Sequence, residues 1–561
     1  DARARTTGRA RSARPAVAAT AGARSNGRLI SPLPPLRMQG RGALDSEDGA
    51  PRLAPLVTAR LASPDCMRGL PARGADLITS IFMGLVGLAT LIGIAWLFSN
   101  NKSRVDWRLV ATGVSLQIAF AAVVLNGPRV ATWLATEAPG LYAIWGWMTL
   151  AVAAAFVVAA ILFARNGANA ALRVAAIVTG AVLLLLVLPF VGAGFKWLAD
   201  LFVKVLGFVA AGSSFVFGGL STNEKLGFVF AFQVLPTIIF FAALMGILYH
   251  WNVMQNVVKA MAWSIMRLMR VSGAETTSVC ASVFIGQTEA PLTIRPYLSK
   301  MTPSELFTVM VGGMAHIAGG VLAAYVVMLG GDDLEQQRFF ALHLLTASIM
   351  AAPATLVISK VLVPEVDEPL TRGQVRMEVE KTTVNVIDAA AQGAGDGLRL
   401  ALNVGAMLLA FIALIALLNW PLTAIGEATG IAARLGHPTD LSHLMGYLLA
   451  PIAWLIGVPW ADAPTVGGLI GTKIVLNEFV AYADLAKVQS TLSEHGRLIA
   501  TYALCGFANF SSIAIQIGGI GGLAPDRRGD LARFGMRAVL GGSLATFMTA
   551  TIAGVLTLFN L

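Results

Sequence analysis

The sequence predicts an all-α polytopic membrane protein with two inverted repeats, each containing a re-entrant helical hairpin and broken helices. Of the 561 residues, 56% are hydrophobic and only 13% are charged, whereas soluble domains carry roughly 25% charged residues. Long apolar runs recur along the chain, as membrane-spanning helices require. Polar clusters interrupt two of these runs, and an ionisable group at membrane depth usually marks a functional site.

The N-terminal stretch is Arg- and Ala-rich and has no apolar periodicity. We expect a disordered tail there or a start assigned too early, with Met67 as the alternative start; the sequence does not decide whether residues 1–72 belong to the mature protein. The net charge of +10 reflects this stretch and the positive-inside bias of loops, not a nucleic-acid partner. The three cysteines, at positions 66, 280 and 505, have no metal or disulfide spacing.

The apolar runs divide the rest of the chain into four stretches. Residues 73–192 should hold N-terminal spans, including an extra pair between Leu141 and Val191. Residues 193–250 should form a helix in the membrane interface, or a short core helix, followed by one span. The first repeat should cover residues 251–396. Residues 397–561 should hold a scaffold span, the second hairpin and the second repeat.

The first hairpin is predicted around the segment Gly286–Pro291, whose sequence is Gly-Gln-Thr-Glu-Ala-Pro. Basic residues lie on both sides, at Arg267 and Arg270 before it and at Arg295 and Lys300 after it. Because basic flanks favour the cytoplasm, this segment should enter and leave the membrane on one side. A non-helical tip at membrane depth is tolerated only where it lines a cavity, which is typical of transporter sites.

The second hairpin is predicted between Leu444 and Val480, where prolines and glycines interrupt an apolar run that ends at Asn477 and Glu478. The following span carries Asn509 and Ser512. This hairpin should enter from the opposite face, so the two halves are expected to be inverted repeats.

Three separated motifs together resemble those of the concentrative nucleoside transporter family, and the chain looks like a bacterial member of it. They are Gly286–Pro291 with Arg295-Pro296, the segment Asn477–Tyr482, and the segment Cys505–Ser512. The likeness runs from about Ser213 to the C-terminus and more weakly over the first two spans, without the tail or the extra pair. It implies a homotrimer in which each subunit has a scaffold domain and a moving transport domain.

The resemblance also implies which residues bind a nucleoside. Residues of the first hairpin would contact the nucleobase, and residues of the second hairpin and the following broken helix would contact the ribose. The implied residues are Gln287, Thr288, Glu289, Val321, Leu400, Glu478, Phe507, Asn509 and Ser512. Each has a structural alternative: Glu289 as a helix cap, Glu478 as a partner of Lys473, the amides and hydroxyls as backbone partners, and the apolar residues as core.

Sodium-coupled members of that family hold their ion with backbone carbonyls at the first hairpin and the neighbouring broken helix, assisted by an Asn and a Ser. Those two positions read Ser282 and His316 here, beside Ile285 and Ile317. Imidazole is a poorer ligand for a hard cation than oxygen and it titrates near neutral pH. We therefore favour H+ over Na+ as the coupling ion, with a sodium site at these residues as the alternative; no cofactor is expected.

The resulting hypothesis is a secondary active symporter that takes up nucleosides such as uridine, cytidine or adenosine across the bacterial inner (plasma) membrane. An intramembrane enzyme using Glu289 and Glu478, or a passive channel, is the alternative. The chain contains no nucleophile elbow, no His-Glu-x-x-His motif and no phosphate-binding loop, so we do not expect an enzyme. The sequence does not settle purine against pyrimidine preference or the role of the extra spans.

Overall fold

A computed structural model describes residues 72–166, 170–221, 229–373 and 383–558, and these residues form helices without any strand. The fold class predicted from the sequence is therefore confirmed. The prediction of a disordered tail concerns residues 1–71 almost entirely, and these lie outside the described residues.

Four long helices form the N-terminal part: α1 (Ala72–Leu97), α2 (Trp107–Glu137), α3 (Pro139–Asn166) and α4 (Ala170–Phe217). Helix α4 continues through Pro189, so the boundary expected after residue 192 lies inside one helix. Apolar residues continue past that point, and Pro189–Ser221 is long and apolar enough to cross a membrane. Asp200 on α4 pairs with Arg338 at 3.1 Å, which ties this helix to the first repeat.

The first repeat and the helices before it follow. They are α5 (Phe230–Gln233), α6 (Leu235–His250), α7 (Val253–Met269), α8 (Gly273–Ser282), the 3-10 segment Ala290–Lys300, α9 (Pro303–Ala315), α10 (Gly319–Gly330) and α11 (Leu334–Leu362). Helix α8 and the 3-10 segment pack against each other, and with the tip between them they form the first hairpin. Capping boxes at Ser272 and Thr302 fix the starts of α8 and α9.

The second repeat follows the long helix α12 (Val386–Ala428). Its helices are α13 (Ile431–Leu435), α14 (Leu441–Leu455), α15 (Ala463–Val475), α16 (Glu478–Val488), α17 (Glu494–Ala503), α18 (Phe510–Leu523) and α19 (Arg528–Leu558). Helices α15 and α16 pack against each other, and they form the second hairpin with Leu476 and Asn477 at its tip.

Each repeat contains one broken helix. The first break, at residues 316–318, separates α9 from α10, and the second break, at residues 504–509, separates α17 from α18. The two breaks lie against each other, because a Cβ on Gly506 would come within 3 Å of the carbonyl oxygens of Met314 and Ala315. Gly506 also has a φ of +144°, so glycine is needed there for both space and backbone conformation.

Helices α9 to α11 and α19 form the buried centre of the fold. Within the described residues, eight segments are long and apolar enough to span a membrane. The spans over α9–α10, α11 and α19 are each 83% buried, whereas the span over α12 is 11% buried. The contrast fits a membrane protein whose outer helices present apolar side chains to lipid or to other subunits.

Candidate functional site

One cavity of about 780 Å³ lies where the two hairpins, the second break and α12 meet. It brings together every substrate-binding residue expected from the sequence. These residues are Gln287, Thr288, Glu289, Val321, Leu400, Glu478, Phe507, Asn509 and Ser512. The apolar members Val321, Leu400 and Phe507 therefore contribute to the cavity wall in addition to any packing role.

Gln287, at the tip of the first hairpin, is buried and held by two side chains of α18. Its Nε2 donates to Ser512 Oγ at 3.1 Å, and its Oε1 accepts from Gln516 Nε2 at 3.1 Å. Gln516 Nε2 also lies 3.0 Å from the carbonyl oxygen of Met310. These contacts fix the orientation of the Gln287 amide before any ligand enters.

Gln516 is a residue that the sequence reasoning missed. It lies four positions after Ser512, which places both side chains on one face of α18. It is fully buried, and an amide in the apolar stretch that follows Ser512 is the signal that could have found it.

Thr288 and Glu289, which follow Gln287 at the tip of the first hairpin, are less buried than Gln287. Thr288 Oγ1 donates to Glu289 Oε1 at 2.9 Å, and the Glu289 side chain is exposed. Glu289 precedes the 3-10 segment Ala290–Lys300 but makes no side-chain capping hydrogen bond to it. The structural alternative, a capping carboxylate, is therefore wrong.

Glu478, on the second hairpin, is buried and held on both carboxylate oxygens. Tyr325 Oη donates to Oε1 at 2.9 Å, and Asn509 Nδ2 donates to Oε2 at 3.1 Å. Lys473, the alternative partner, instead donates to the carbonyl oxygen of Ala503 and to Thr546. Glu478 is therefore oriented by hydrogen bonds and not by the predicted alternative ion pair.

Tyr325 is the second residue that sequence reasoning missed. It lies in the middle of the otherwise apolar α10 and is fully buried. Because a buried tyrosine hydroxyl usually finds a hydrogen-bond partner, a tyrosine in such a helix was the available signal. Its contact joins the broken helix of the first repeat to the hairpin of the second.

Asn509 has two roles. Its Oδ1 accepts from Ser512 N at 2.9 Å and from Ser511 Oγ at 2.7 Å, so it caps α18. Its Nδ2 faces Glu478. The backbone role and the cavity role therefore coexist in one side chain.

The residues expected to couple a cation lie at the first hairpin and the first break. The carbonyl oxygen of Phe284 accepts from Gly319 N at 3.0 Å, which joins the hairpin tip to the broken helix. Ile285 lines the cavity and Ile317 is buried beside the break. Ser282 Oγ donates to Ser278 O at 3.0 Å within its own helix.

His316 is buried at the end of α9 and its Nδ1 lies 2.7 Å from the carbonyl oxygen of Gly312. Because a carbonyl only accepts, Nδ1 carries the proton and Nε2 has the lone pair. Nε2 is buried and makes no hydrogen bond. Of the two side chains expected to assist a coupling cation, Ser282 therefore offers an oxygen and His316 a nitrogen.

Comparison with known families gives three matches in chain order. They are Na+ dependent nucleoside transporter N-terminus over residues 86–169, Nucleoside recognition over residues 231–332, and Na+ dependent nucleoside transporter C-terminus over residues 343–554. The first match reaches into the extra pair of spans, so the expectation that the family likeness omits this pair is wrong.

Individual relatives agree. The chain is 42% identical to "Uncharacterized transporter YutK" of Bacillus subtilis, over 85% of this chain and 99% of the relative. It is 35% identical to "Nucleoside permease NupC" of Helicobacter pylori, over 85% and 98%. It is 40% identical to "Sodium/nucleoside cotransporter 1" of Rattus norvegicus, over 64% of this chain and 56% of that protein.

Solved structures with the same fold include CNTnw in an inward-facing substrate-bound state. That structure has a TM-score of 0.65 and 37% identity, covering 85% of this chain and 99% of CNTnw. A CNTnw variant in an outward-facing state also has a TM-score of 0.65, with 36% identity over 86% and 98% of the two chains.

Proposed function

Because the chain belongs to the Na+-dependent nucleoside transporter family, we propose that it is a secondary active symporter that carries nucleosides such as uridine, cytidine or adenosine. Its family consists of transporters and not of enzymes, so the expectation of a non-enzyme is confirmed. It is a multi-pass protein of the bacterial plasma membrane, as expected.

The observation that carries the proposal is the convergence of Gln287, Glu289, Glu478 and Asn509 on one cavity. A nucleobase offers donors and acceptors at its edge, which suit an amide and a hydroxyl on the first hairpin. Ribose hydroxyls suit a carboxylate and an amide, and charge-assisted hydrogen bonds are the stronger ones. We therefore assign the base to the first hairpin and the ribose to Glu478 and Asn509.

In this assignment, the nucleoside enters between groups that already bind each other. Ser512 accepts from Gln287, and Asn509 donates to Glu478. Ribose hydroxyls would add to or replace these contacts, so the polar groups stay paired throughout. A site of this type rejects an analogue that lacks the hydroxyls, because its own polar groups then lose partners.

We assign the coupling ion as H+. The support is the buried Nε2 of His316, which has no hydrogen-bond partner and lies on the break that the hairpin tip contacts. A proton taken up there would place a charge beside the tip of the first hairpin, where it can bias the position of that hairpin. Sodium coupling is the alternative, since relatives carry sodium in their names.

The test is uptake of radiolabelled uridine and adenosine into proteoliposomes with proton and sodium gradients imposed separately. The proposal predicts accumulation driven by a pH gradient without sodium. Accumulation that needs sodium and ignores the pH gradient would overturn proton coupling while keeping nucleoside symport. The pair His316→Ser with Ser282→Asn should raise sodium dependence, because it replaces the His316 imidazole with a hydroxyl oxygen and the Ser282 hydroxyl with an amide oxygen.

The same vesicles separate symport from the alternatives. Recovery of intact nucleoside excludes an intramembrane enzyme, and accumulation above the external concentration excludes a passive channel.

We also propose that subunits form a homotrimer through outer helices such as α12, whose apolar side chains include the exposed Leu409 and Trp420. The mass of the purified complex, corrected for detergent, tests this assembly.

A further inference from the structure

Lys473 is a fully buried cation in the second hairpin. It lies in the last turn of α15 with a fully buried side chain. Its Nζ donates to the carbonyl oxygen of Ala503 at 2.9 Å and to Thr546 Oγ1 at 3.1 Å. Among the described residues, no carboxylate forms an ion pair with it. Burying a cation in the membrane without such a partner is expensive, which indicates a function.

The partner of Lys473 lies where the second break begins. Ala503 is the last residue of α17, and the break that follows carries Phe507 and Asn509 into the cavity. The last carbonyl groups of a helix lack intrahelical partners and form the negative end of its dipole. An ammonium group on the Ala503 oxygen satisfies one of these carbonyls and stabilises the helix end inside the protein.

The first repeat has a related arrangement built from a different residue. Helix α9 also ends inside the protein, and His316 Nδ1 satisfies the carbonyl oxygen of Gly312 in its last turn. The C-terminal ends of α9 and α17 are thus each contacted by a basic side chain. In the first repeat this side chain belongs to the break itself, whereas in the second it comes from the hairpin, so Lys473 joins the second hairpin to the second break.

We propose that Lys473 is a positioning residue for the ribose end of the substrate. Its ammonium group binds the last carbonyl of α17 and thereby fixes the position of the second break. Asn509 lies at the end of this break and donates to Glu478, which begins α16. Lys473 does not line the cavity, so it acts through these two residues and not by touching the nucleoside. This inference rests on the proposed binding of nucleosides in the cavity.

The experiment compares Lys473→Met with wild type and with Lys487→Met. Lys487 lies in the same hairpin with a 71% exposed side chain, so its loss controls for removal of a charge. Dissociation constants of uridine and of 2′,3′-dideoxyuridine are measured by titration calorimetry on the purified full chain. Thermal unfolding without ligand is measured in parallel.

Lys473→Met should weaken uridine binding about tenfold or more, as expected for loss of a charge-assisted contact, and leave 2′,3′-dideoxyuridine binding nearly unchanged. The ratio of the two constants should therefore collapse, while Lys487→Met keeps it. A general structural defect would weaken both ligands equally and keep the ratio, which would overturn the proposal.

Lys473→Gln serves if the Met variant does not fold, because it keeps a donor without the charge. It should lower the same ratio, and a ratio equal to that of wild type would also overturn the proposal. Failure of the wild type to prefer uridine over 2′,3′-dideoxyuridine is a different result. It would contradict the proposed nucleoside site itself and not the role of Lys473.

Discussion

The two hairpins present their carboxylates to the same cavity in opposite ways. Glu478 on the second hairpin is buried and accepts hydrogen bonds from Tyr325 and Asn509. Glu289 on the first hairpin is exposed and accepts one hydrogen bond, from its neighbour Thr288. The carboxylate of Glu478 is therefore held in place before a ligand binds, whereas that of Glu289 is exposed and less constrained.

Under the proposed assignment, this difference between the two carboxylates corresponds to the two parts of a nucleoside. The ribose is the same in every ribonucleoside, so rigid and fully paired groups suit it, since preorganisation reduces the cost of binding. The base varies in size and in its edge groups, so a carboxylate that is free to move suits it. The comparison predicts that substitutions at Glu478 affect all nucleosides and that those at Glu289 affect some more than others.

The largest effect should come from Glu478→Gln. An amide nitrogen in place of one carboxylate oxygen would face a donor, either Tyr325 Oη or Asn509 Nδ2, and the negative charge would be lost. We expect binding of uridine and adenosine to weaken by about a hundredfold, measured by calorimetry. Asp484→Asn, on the same helix α16, is the control and should change little. Retained affinity in Glu478→Gln would remove the ribose assignment.

Tyr325→Phe should have the next largest effect. It removes one donor to Glu478 and keeps the aromatic packing against Phe479 and Tyr482. The carboxylate then keeps its bond to Asn509 alone, and we expect about a tenfold rise in the KM for uptake. If Tyr325→Phe lowers the thermal stability of the ligand-free protein but leaves KM unchanged, Tyr325 only stabilises the fold.

Gln516→Leu should have a smaller effect, because it removes the residue that orients Gln287 and not a residue assigned to the substrate. We expect about a threefold to tenfold rise in KM. The size of the rise should differ between nucleosides with different bases and should not depend on the ribose hydroxyls. Gln489→Leu is the control, since Gln489 also donates to a backbone carbonyl, that of Leu329, but lies outside the cavity. Equal effects of the two substitutions would contradict an orienting role.

Glu289→Gln should have the smallest average effect, about twofold to fivefold, because the side chain is exposed and screened by water. Its size should differ between uridine and adenosine, which competition assays on one preparation can measure. A loss that is equal for every base and as large as that of Glu478→Gln would contradict the contrast between the two ends.

Sequence reasoning reached the cavity because its residues break apolar patterns. Gln287, Glu289, Glu478 and Asn509 lie in polar clusters inside apolar runs, and polar residues at that depth are expensive. Gln516 and Tyr325 were missed because each stands alone in an apolar stretch of its helix, outside the polar clusters, where packing and function have the same appearance. Their partners lie 229 and 153 positions away in sequence.

Two expectations about local helix geometry differ from the helix ends in the structure. The alternative pairing of Lys473 with Glu478 assumed one continuous helix, but α15 ends at Val475 and Glu478 begins the next helix. The interfacial helix was expected to start after residue 192, but α4 runs through Pro189 without interruption. Helix ends depend on packing partners that lie elsewhere in the chain, so spacing alone did not place them.

The orientation of a bound nucleoside tests the assignment most directly. A structure of the full chain with 5-bromouridine, phased for the anomalous signal of bromine, marks the base. With the base at the first hairpin, bromine should lie near Thr288 and Glu289, and the ribose hydroxyls should lie within hydrogen-bond distance of Glu478 and Asn509. Bromine beside Glu478, or a nucleoside outside this cavity, would contradict it.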